Sequence, residues 1–319
     1  LALRPHIKTH KIPELAKRQL EAGAVGITCQ KISEAEAMIS EGGITDILIT
    51  FNIIGSTKLT RLRALSEKVV LSVVADNSNC VIGLSKAFST SPKPLTVLVE
   101  CDTGALRCGV VTPQEANKLA CLISDLPGLR FGGLMTYPPI AKSKDVNDFL
   151  ESSKVLIEGN GMKVDVVSIG GSPDMWYASQ IPIATEYRIG TYVYNDRSLV
   201  VRGTCTLDDC ALTVLATVIS TPSEKRAVID AGSKVFTSDL LDLQGYGHVI
   251  DFADLSLEKL SEEHGCLTSD SATGLTVGQK IRIVPNHACV VSNMLDQVVL
   301  VRGPNKIKKQ SVVGRGQVW

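Results

Sequence analysis

Arg4-Pro5-His6-Ile7-Lys8-Thr9-His10-Lys11 sets five cationic or titratable side chains in eight positions, just before a stretch with helical spacing. On an extended backbone His6 and Lys8 lie on one face, because side chains alternate with period two. If that face looks into a cavity, desolvation lowers the lysine's affinity for its proton. The free amine can then form a Schiff base with a carbonyl cofactor. A solvated basic loop has the same composition, so these residues alone leave both readings open. A second stretch, Ser168-Ile169-Gly170-Gly171-Ser172-Pro173, places two glycines and a hydroxyl after an apolar run. Backbone N–H groups bared by glycine, with a hydroxyl beside them, cradle phosphate; they also make an ordinary turn. A third, Pro285-Asn286-His287-Ala288-Cys289, puts an imidazole and a thiol at i and i+2 of an expected strand. That pair suits Zn²⁺ and equally suits two packed core residues.

The elements that must position these groups alternate regularly. The apolar runs "ALRPHIK", "VGITCQ", "DILITFN", "VVLSVVAD", "LTVLVECD", "LRFGGLMTY", "DVVSIGG" and "ATEYRIG" are separated by helix-like stretches. Pro13 and Gly23 punctuate the first helix. Ser33 with Glu36, and Thr112-Pro113 with Glu115, read as capping boxes. The connection around "MWYASQIP" is the weakest helix. Continuous Val/Ile/Leu runs are those of parallel strands covered on both faces. Eight beats predict a (β/α)8 TIM-type barrel over residues 1–194, with a doubly wound open sheet as the alternative. From 195 to 319 the texture becomes strands and turns, such as Asp230-Ala231-Gly232 and Arg302-Gly303-Pro304, predicting a mostly β C-terminal domain.

Composition narrows the class. Lys plus Arg equals Asp plus Glu at 33 each, so no net field recruits nucleic acid or an anionic membrane. No apolar run approaches the ~18 residues of a membrane span, and the N-terminus has no signal-peptide pattern. Nine cysteines without a C-x-x-C pair read as reduced thiols, so a cytoplasmic location is expected.

The stretches "LRPHIKTHK", "VECDTGALRCGV", "GGLMTYPP", "SIGGSP", "TEYRIGTYVYNDR", "SEEHG" and "RIVPNHACVVSN" run from one end of the chain to the other. Together they resemble the fold-type III pyridoxal 5′-phosphate (PLP) enzymes of the D-threonine aldolase and D-serine dehydratase group. The resemblance implies an alanine racemase-like PLP barrel, with Lys8 as the PLP lysine and His6 beside it among the catalytic residues. It implies that Arg107 lies near the cofactor, Tyr137 and Tyr187 line it, and Gly170, Gly171 and Ser172 bind its phosphate. It also implies a metal at His287 and Cys289, Zn²⁺ first, with Mn²⁺ or Mg²⁺ as alternatives. His-x-Asp is typical of some aldolases in the group and His-x-Cys occurs in zinc-dependent D-serine dehydratases. Glu262, Glu263 and His264 are further candidates. The substrate expected is a small D-amino acid bearing a β-hydroxyl, handled by a homodimer. Retro-aldol cleavage to glycine and an aldehyde ranks first, dehydration of D-serine to pyruvate and ammonia second, and PLP racemisation a distant third. Two departures stand out. The histidine that many D-threonine aldolases carry beyond the position of Tyr137 is missing from "YPPIAKSKD", so the second proton-transfer residue is unassigned. A strand that usually precedes the PLP lysine is also missing from a sequence that starts at Leu1.

Overall fold

The computed structural model describes residues 1–303 and 306–319, in two compact units. The first comprises Leu1–Lys8, Ile12–Gly190 and Gln317–Trp319; the second comprises Thr9–Lys11 and Thr191–Gly316.

In the first unit eight parallel strands form one sheet. They are β1 (Ala2–Leu3), β2 (Ile27–Cys29), β3 (Asp46–Ile49), β4 (Val70–Ala75), β5 (Leu95–Cys101), β6 (Leu129–Thr136), β7 (Val166–Gly170) and β8 (Glu186–Arg188). Neighbours follow chain order and β1 pairs with β8, which excludes the doubly wound alternative. Closure comes from the parallel bridge His6↔Thr28 and from the Thr28 N–H donating to the Pro5 carbonyl at 2.7 Å. The helices are α1 (Pro13–Glu21), α2 (Ile32–Ile39), α3 (Ser56–Ser66), α4 (Ser78–Phe88), α5 (Pro113–Asp125) and α6 (Ser143–Gly159). Each buries one stripe on the sheet; in α5 it is Ala116, Leu119, Ala120 and Ile123, the i, i+3, i+4, i+7 spacing of an amphipathic helix. The seventh connection is a 3₁₀ helix, Met175–Gln180.

Thr112 caps α5 as its sequence predicts, accepting from the Glu115 N–H at 3.2 Å while Glu115 accepts from the Thr112 N–H at 3.1 Å. The Ser33 cap is not formed. Ile32 already opens α2, Lys31 occupies the cap position without a side-chain bond, and Ser33 Oγ donates to the Trp319 carbonyl at 2.5 Å. Glu36 pairs with Arg61 instead.

The second unit is built on a closed antiparallel barrel. Its strands are β9 (Val214–Ser223), β10 (Arg226–Ile229), β11 (Gly247–Val249), β12 (Ser256–Leu260), β13 (Gly265–Thr268) and β14 (Lys280–Pro285), in the order β10-β13-β12-β11-β14-β9. Short helices α7 (Arg197–Val201), α8 (Ser233–Phe236) and α9 (Ala288–Met294) and a hairpin of β15 (Gln297–Arg302) with β16 (Lys306–Ser311) complete it. Pro304 of the expected Arg302-Gly303-Pro304 turn lies outside the described residues. Among the described residues no helix is long and apolar enough to cross a membrane.

Candidate active site

The strand that leads to Lys8 stays paired as far as His6, whose N–H donates to the Ile189 carbonyl at 2.7 Å. The chain then tightens into one 3₁₀ turn, Ile7–Thr9. Lys8 is therefore not on extended backbone, and the expected shared strand face with His6 does not exist. The turn itself brings them together: the Lys8 N–H reaches His6 Nδ1 at 3.4 Å. Lys8 is half-buried and His6 is buried. Burial foremost, then the positive charges of Lys8, Arg188 and Arg107, holds the His6 ring well below its ordinary pKa, so it is neutral. Its other nitrogen, Nε2, lies 3.1 Å from Gln30 Oε1, and Gln30 Nε2 donates to the Thr50 carbonyl at 2.8 Å.

Inside the barrel Leu48, Val74, Leu98 and Met135 form one apolar layer. Two residues further along each strand, period two places Thr50, Asp76, Glu100 and Tyr137 on the same inward face, at the C-terminal mouth where barrels carry their chemistry. A polar line runs through the barrel on its β7, β8 and β1 side. Arg4 donates to Glu186 at 2.6 Å, Ser168 Oγ donates to Glu186 at 2.6 Å, and Arg188 donates to Ser168 Oγ at 2.9 Å and to the Thr136 carbonyl at 2.5 Å. Burial lowers the Arg188 pKa to about 10 despite Glu186 and Glu100. Burial raises Glu100, 3% exposed, to about 7; Arg107 and Arg188 offset this only in part. Arg107 is exposed on the loop after β5, its guanidinium 4.7 Å from the Tyr137 ring centroid. Asp102 shapes that loop by accepting from the Gly104 and Leu106 N–H groups at 2.9 and 3.1 Å.

The glycine turn after β7 differs from the predicted cradle. A Cβ on Gly170 would lie 2.1 Å from the Arg188 carbonyl oxygen, so this glycine serves the close approach of β7 to β8. Gly171 has φ +122°, and its N–H is committed to the same Arg188 carbonyl at 2.9 Å, not bared. Tyr187, buried, donates its hydroxyl to the Gly171 carbonyl at 2.7 Å. The side-chain-free surface of Gly171 lies beside buried Ser172. The Tyr137 Cε2 atom is 3.6 Å from where a Gly171 Cβ would stand. Arg107 thus stacks on Tyr137, which faces the bare side of the Gly171 turn that Tyr187 holds, and His6, Lys8 and Arg188 share an electrostatic neighbourhood with Arg107.

In the second unit His287 and Cys289 are not on a strand. His287 is the N-cap residue of α9 and Cys289 sits in its first turn. Their side chains still act on each other electrostatically. His287 Nδ1 meets Asp239 Oδ2 at 2.5 Å, leaving Nε2 as the nitrogen for a ligand. Burial works against charge on both groups; their mutual interaction outweighs it, lowering Cys289 and, with Asp239 and Asp196, raising His287 to about 9. Thr9 and Thr191 hydroxyls lie 3.1 and 3.6 Å from Cys289 Sγ. Asp196 accepts from the Ala288 N–H at 2.9 Å and so fixes the backbone between the pair. A thiolate and an imidazole whose far nitrogen is held by a carboxylate fit a divalent ion of zinc type. Among the described residues no group of three or more His, Cys, Asp or Glu is arranged to enclose a metal. Glu262 and Glu263 lie instead on an exposed turn between β12 and β13, where Lys234 pairs with them at 3.2 and 2.7 Å.

Gln30, Glu100, Arg188, Asp196 and Asp239 escaped the sequence reading. Period-two alternation through "ATEYRIG" could have placed Glu186 and Arg188 inward. Asp239, 48 residues from His287 in a turn-rich segment, left no such signal.

The chain matches two family descriptions, "Alanine racemase, N-terminal domain" over residues 2–198 and "Putative serine dehydratase domain" over residues 211–301. It is 32% identical to a D-threonine aldolase from Arthrobacter sp., covering 95% of this chain and 82% of that one. The crystal structure of a D-threonine aldolase from Filomicrobium marinum superposes with a TM-score of 0.92 at 32% identity, over 100% of this chain and 90% of that one. D-threo-3-hydroxyaspartate dehydratase from Delftia sp. HT23 gives a TM-score of 0.87 at 26% identity, over 98% of this chain and 90% of that one. Solved variants of that type of dehydratase replace a histidine and, two positions on, a cysteine by alanine, the cysteine variant being in a metal-free form.

Proposed function

Because the chain belongs to the fold-type III PLP family of D-threonine aldolases and D-serine dehydratases, we propose that it is a PLP- and divalent-metal-dependent lyase of D-β-hydroxy-α-amino acids. Its leading reaction is retro-aldol cleavage of D-threonine-type substrates to glycine and an aldehyde. One observation carries this reading. A half-buried lysine stands on a tight turn just past the closing seam of a parallel barrel that also carries the Arg107–Tyr137 stack and the Gly171–Ser172 turn.

Held there, PLP supplies an electron sink for bonds at Cα, and a divalent ion at His287 and Cys289 supplies Lewis acidity. The chain's own residues do the rest. Lys8 offers the amine that holds the cofactor and, once displaced, a base. Tyr137 presents a flat aromatic face, and Arg107 above it presents a fork of donors that suits an oxyanion. Ser172 offers a hydroxyl where the absent side chain of Gly171 lets a phosphate approach. Tyr187 pins that turn through the Gly171 carbonyl. Asp239 fixes the orientation of the His287 ring.

Dehydration of D-serine or a related hydroxy acid is the second reading. The His-x-Cys pair favours it, as does the likeness to a dehydratase whose cysteine variant is metal-free. Racemisation has no use for the pair. We also propose a homodimer, on family grounds.

The deciding experiment incubates the purified chain with D-threonine and D-serine and identifies products. Glycine means aldol cleavage; a 2-oxo acid and ammonia mean dehydration. Borohydride should fix PLP to the peptide containing Lys8, and chelation should abolish turnover while leaving the protein yellow. Full turnover in metal-free protein, or label on Lys11, overturns the reading.

A further inference from the structure

The groups around Lys8 form a chain of hydrogen bonds with only one consistent direction. The Thr50 carbonyl can only accept, so the Gln30 side chain must turn its NH₂ toward it, at 2.8 Å. That leaves the Gln30 oxygen facing His6 Nε2 at 3.1 Å, and an amide oxygen can only accept. His6 Nε2 must therefore carry the ring proton. Nδ1 is then the lone-pair nitrogen, and it faces a group that can only donate, the Lys8 backbone N–H at 3.4 Å. Gln30 is itself held by its own N–H donating to Glu34 at 2.6 Å. From the fixed carbonyl of Thr50 to the backbone of Lys8, no donor meets a donor and no acceptor meets an acceptor. His6 thus has both ring nitrogens committed, which removes it as a proton carrier.

We propose that Gln30, acting through the tautomer of His6, is a positioning residue that holds the Lys8 turn in the geometry needed to capture PLP. The inference rests on the reading that Lys8 is the PLP lysine. The charged groups facing His6 favour the same arrangement. Lys8, Arg188 and Arg107 all disfavour an imidazolium. Protonation would destroy the relay twice over, by removing the Nδ1 lone pair and by setting a cation beside the Lys8 ammonium.

Two substitutions separate this role from simple packing. Gln30→Leu removes the acceptor, so the ring is free to place its proton on Nδ1, where it opposes the Lys8 N–H. Gln30→Glu keeps an acceptor but adds a negative charge that stabilises the imidazolium. The first readout is ring ¹⁵N NMR of the full-length cofactor-free chain, whose five histidines include one signal lost in His6→Asn. That signal should show an unprotonated Nδ1 and protonated Nε2 throughout the neutral range in the parent protein. It should become mixed in Gln30→Leu and imidazolium-like at lower pH in Gln30→Glu. The second readout is the rate of PLP capture, followed by the growth of the lysine-bound absorbance. Capture should slow roughly three- to tenfold in Gln30→Leu, the ratio expected for one hydrogen bond of ordinary net strength. In Gln30→Glu it should slow only below the new His6 pKa, a pH dependence that the parent and Gln30→Leu lack. Borohydride label on Lys8 in the parent with unchanged capture in both variants overturns the positioning role alone. A parent signal with the proton on Nδ1 overturns it as well. Label elsewhere overturns the reading on which it rests.

Discussion

Replacing Asp239 by asparagine keeps the shape of the side chain and removes its charge from the 2.5 Å contact with His287 Nδ1. Carboxylates that hold the far nitrogen of a metal-binding histidine typically contribute ten- to a hundredfold to metal affinity. That range is about 1.4–2.8 kcal/mol at 1.4 kcal/mol per decade. Here the Asp239 side chain is 41% exposed and the His287 side chain 27%, so solvent screens part of the interaction. The lower end, about tenfold, is therefore expected. Asparagine can also offer its NH₂ to Nδ1, which would turn the ring proton to Nε2, the nitrogen the metal needs. Zn²⁺ titration calorimetry on the PLP-loaded chain should give a dissociation constant about tenfold weaker for Asp239→Asn. Cys289→Ala, which removes a ligand outright, should lose far more. Binding should release a proton from the His287–Cys289 pair, so apparent affinity should rise with pH and level off above about 9, the value to which His287 is raised. Affinity within twofold of the parent in Asp239→Asn would refute the argument that this carboxylate orients the ligand.

Two further outcomes follow from the barrel. Glu100 is raised by burial from its ordinary 4.5 to about 7, so between those values the folded state holds a proton that the unfolded chain has released. Stability of the cofactor-free barrel should fall as pH rises from 4.5 to 7, by about 3 kcal/mol; Glu100→Gln should flatten that slope, and an unchanged urea-midpoint profile would contradict it. The two glycines after β7 should separate cleanly. Gly170→Ala drives a Cβ into the Arg188 carbonyl and should cost about 3 kcal/mol or more of folding stability. Gly171→Ala strains only φ +122° and should cost about 1–2 kcal/mol while reducing PLP retention more; the reverse order of stabilities would show that the glycine roles are misassigned.

What could be read in advance was what depends on periodicity and on local chain chemistry. Continuous apolar runs announced the eight parallel strands, and Thr112 with Glu115 announced the start of α5, because both signals lie within a few residues. The errors share a cause. The sequence pattern predicts strand for Lys8, His287 and Cys289, yet each falls where a strand has just ended and a helical turn begins. Such boundaries are decided by tertiary hydrogen bonds, such as that from the Ala288 N–H to Asp196, which span scores of residues. Gly171 looked like a bared donor because its neighbour in space, the Arg188 carbonyl, is remote in sequence. Gln30 and Asp239 were invisible for the same reason: each matters through a partner that only the fold brings near.

The closing seam of the first barrel places its shortest strand pairing next to Lys8. β5 and β6 share seven registered pairs, whereas β1 meets β8 through two, and the seam toward β2 consists of the isolated bridge His6↔Thr28 with the Val25 N–H donating to the Leu3 carbonyl and the Thr28 N–H to the Pro5 carbonyl. Pro5, in the middle of this seam, has no N–H to contribute. Local opening there needs less free energy than anywhere along β5, so amides from Leu3 to His6 should exchange with solvent well ahead of the central strands. A ligand held both by Lys8 and by the turn at Ser172 spans the β1, β8 and β7 edge and binds only the closed form. Retention of that ligand and closure of the barrel are then one linked equilibrium: each tenfold excess of ligand over its dissociation constant lowers the open fraction about tenfold. The protein's resistance to proteolysis at its N-terminal edge would serve as a gauge of how fully it is loaded.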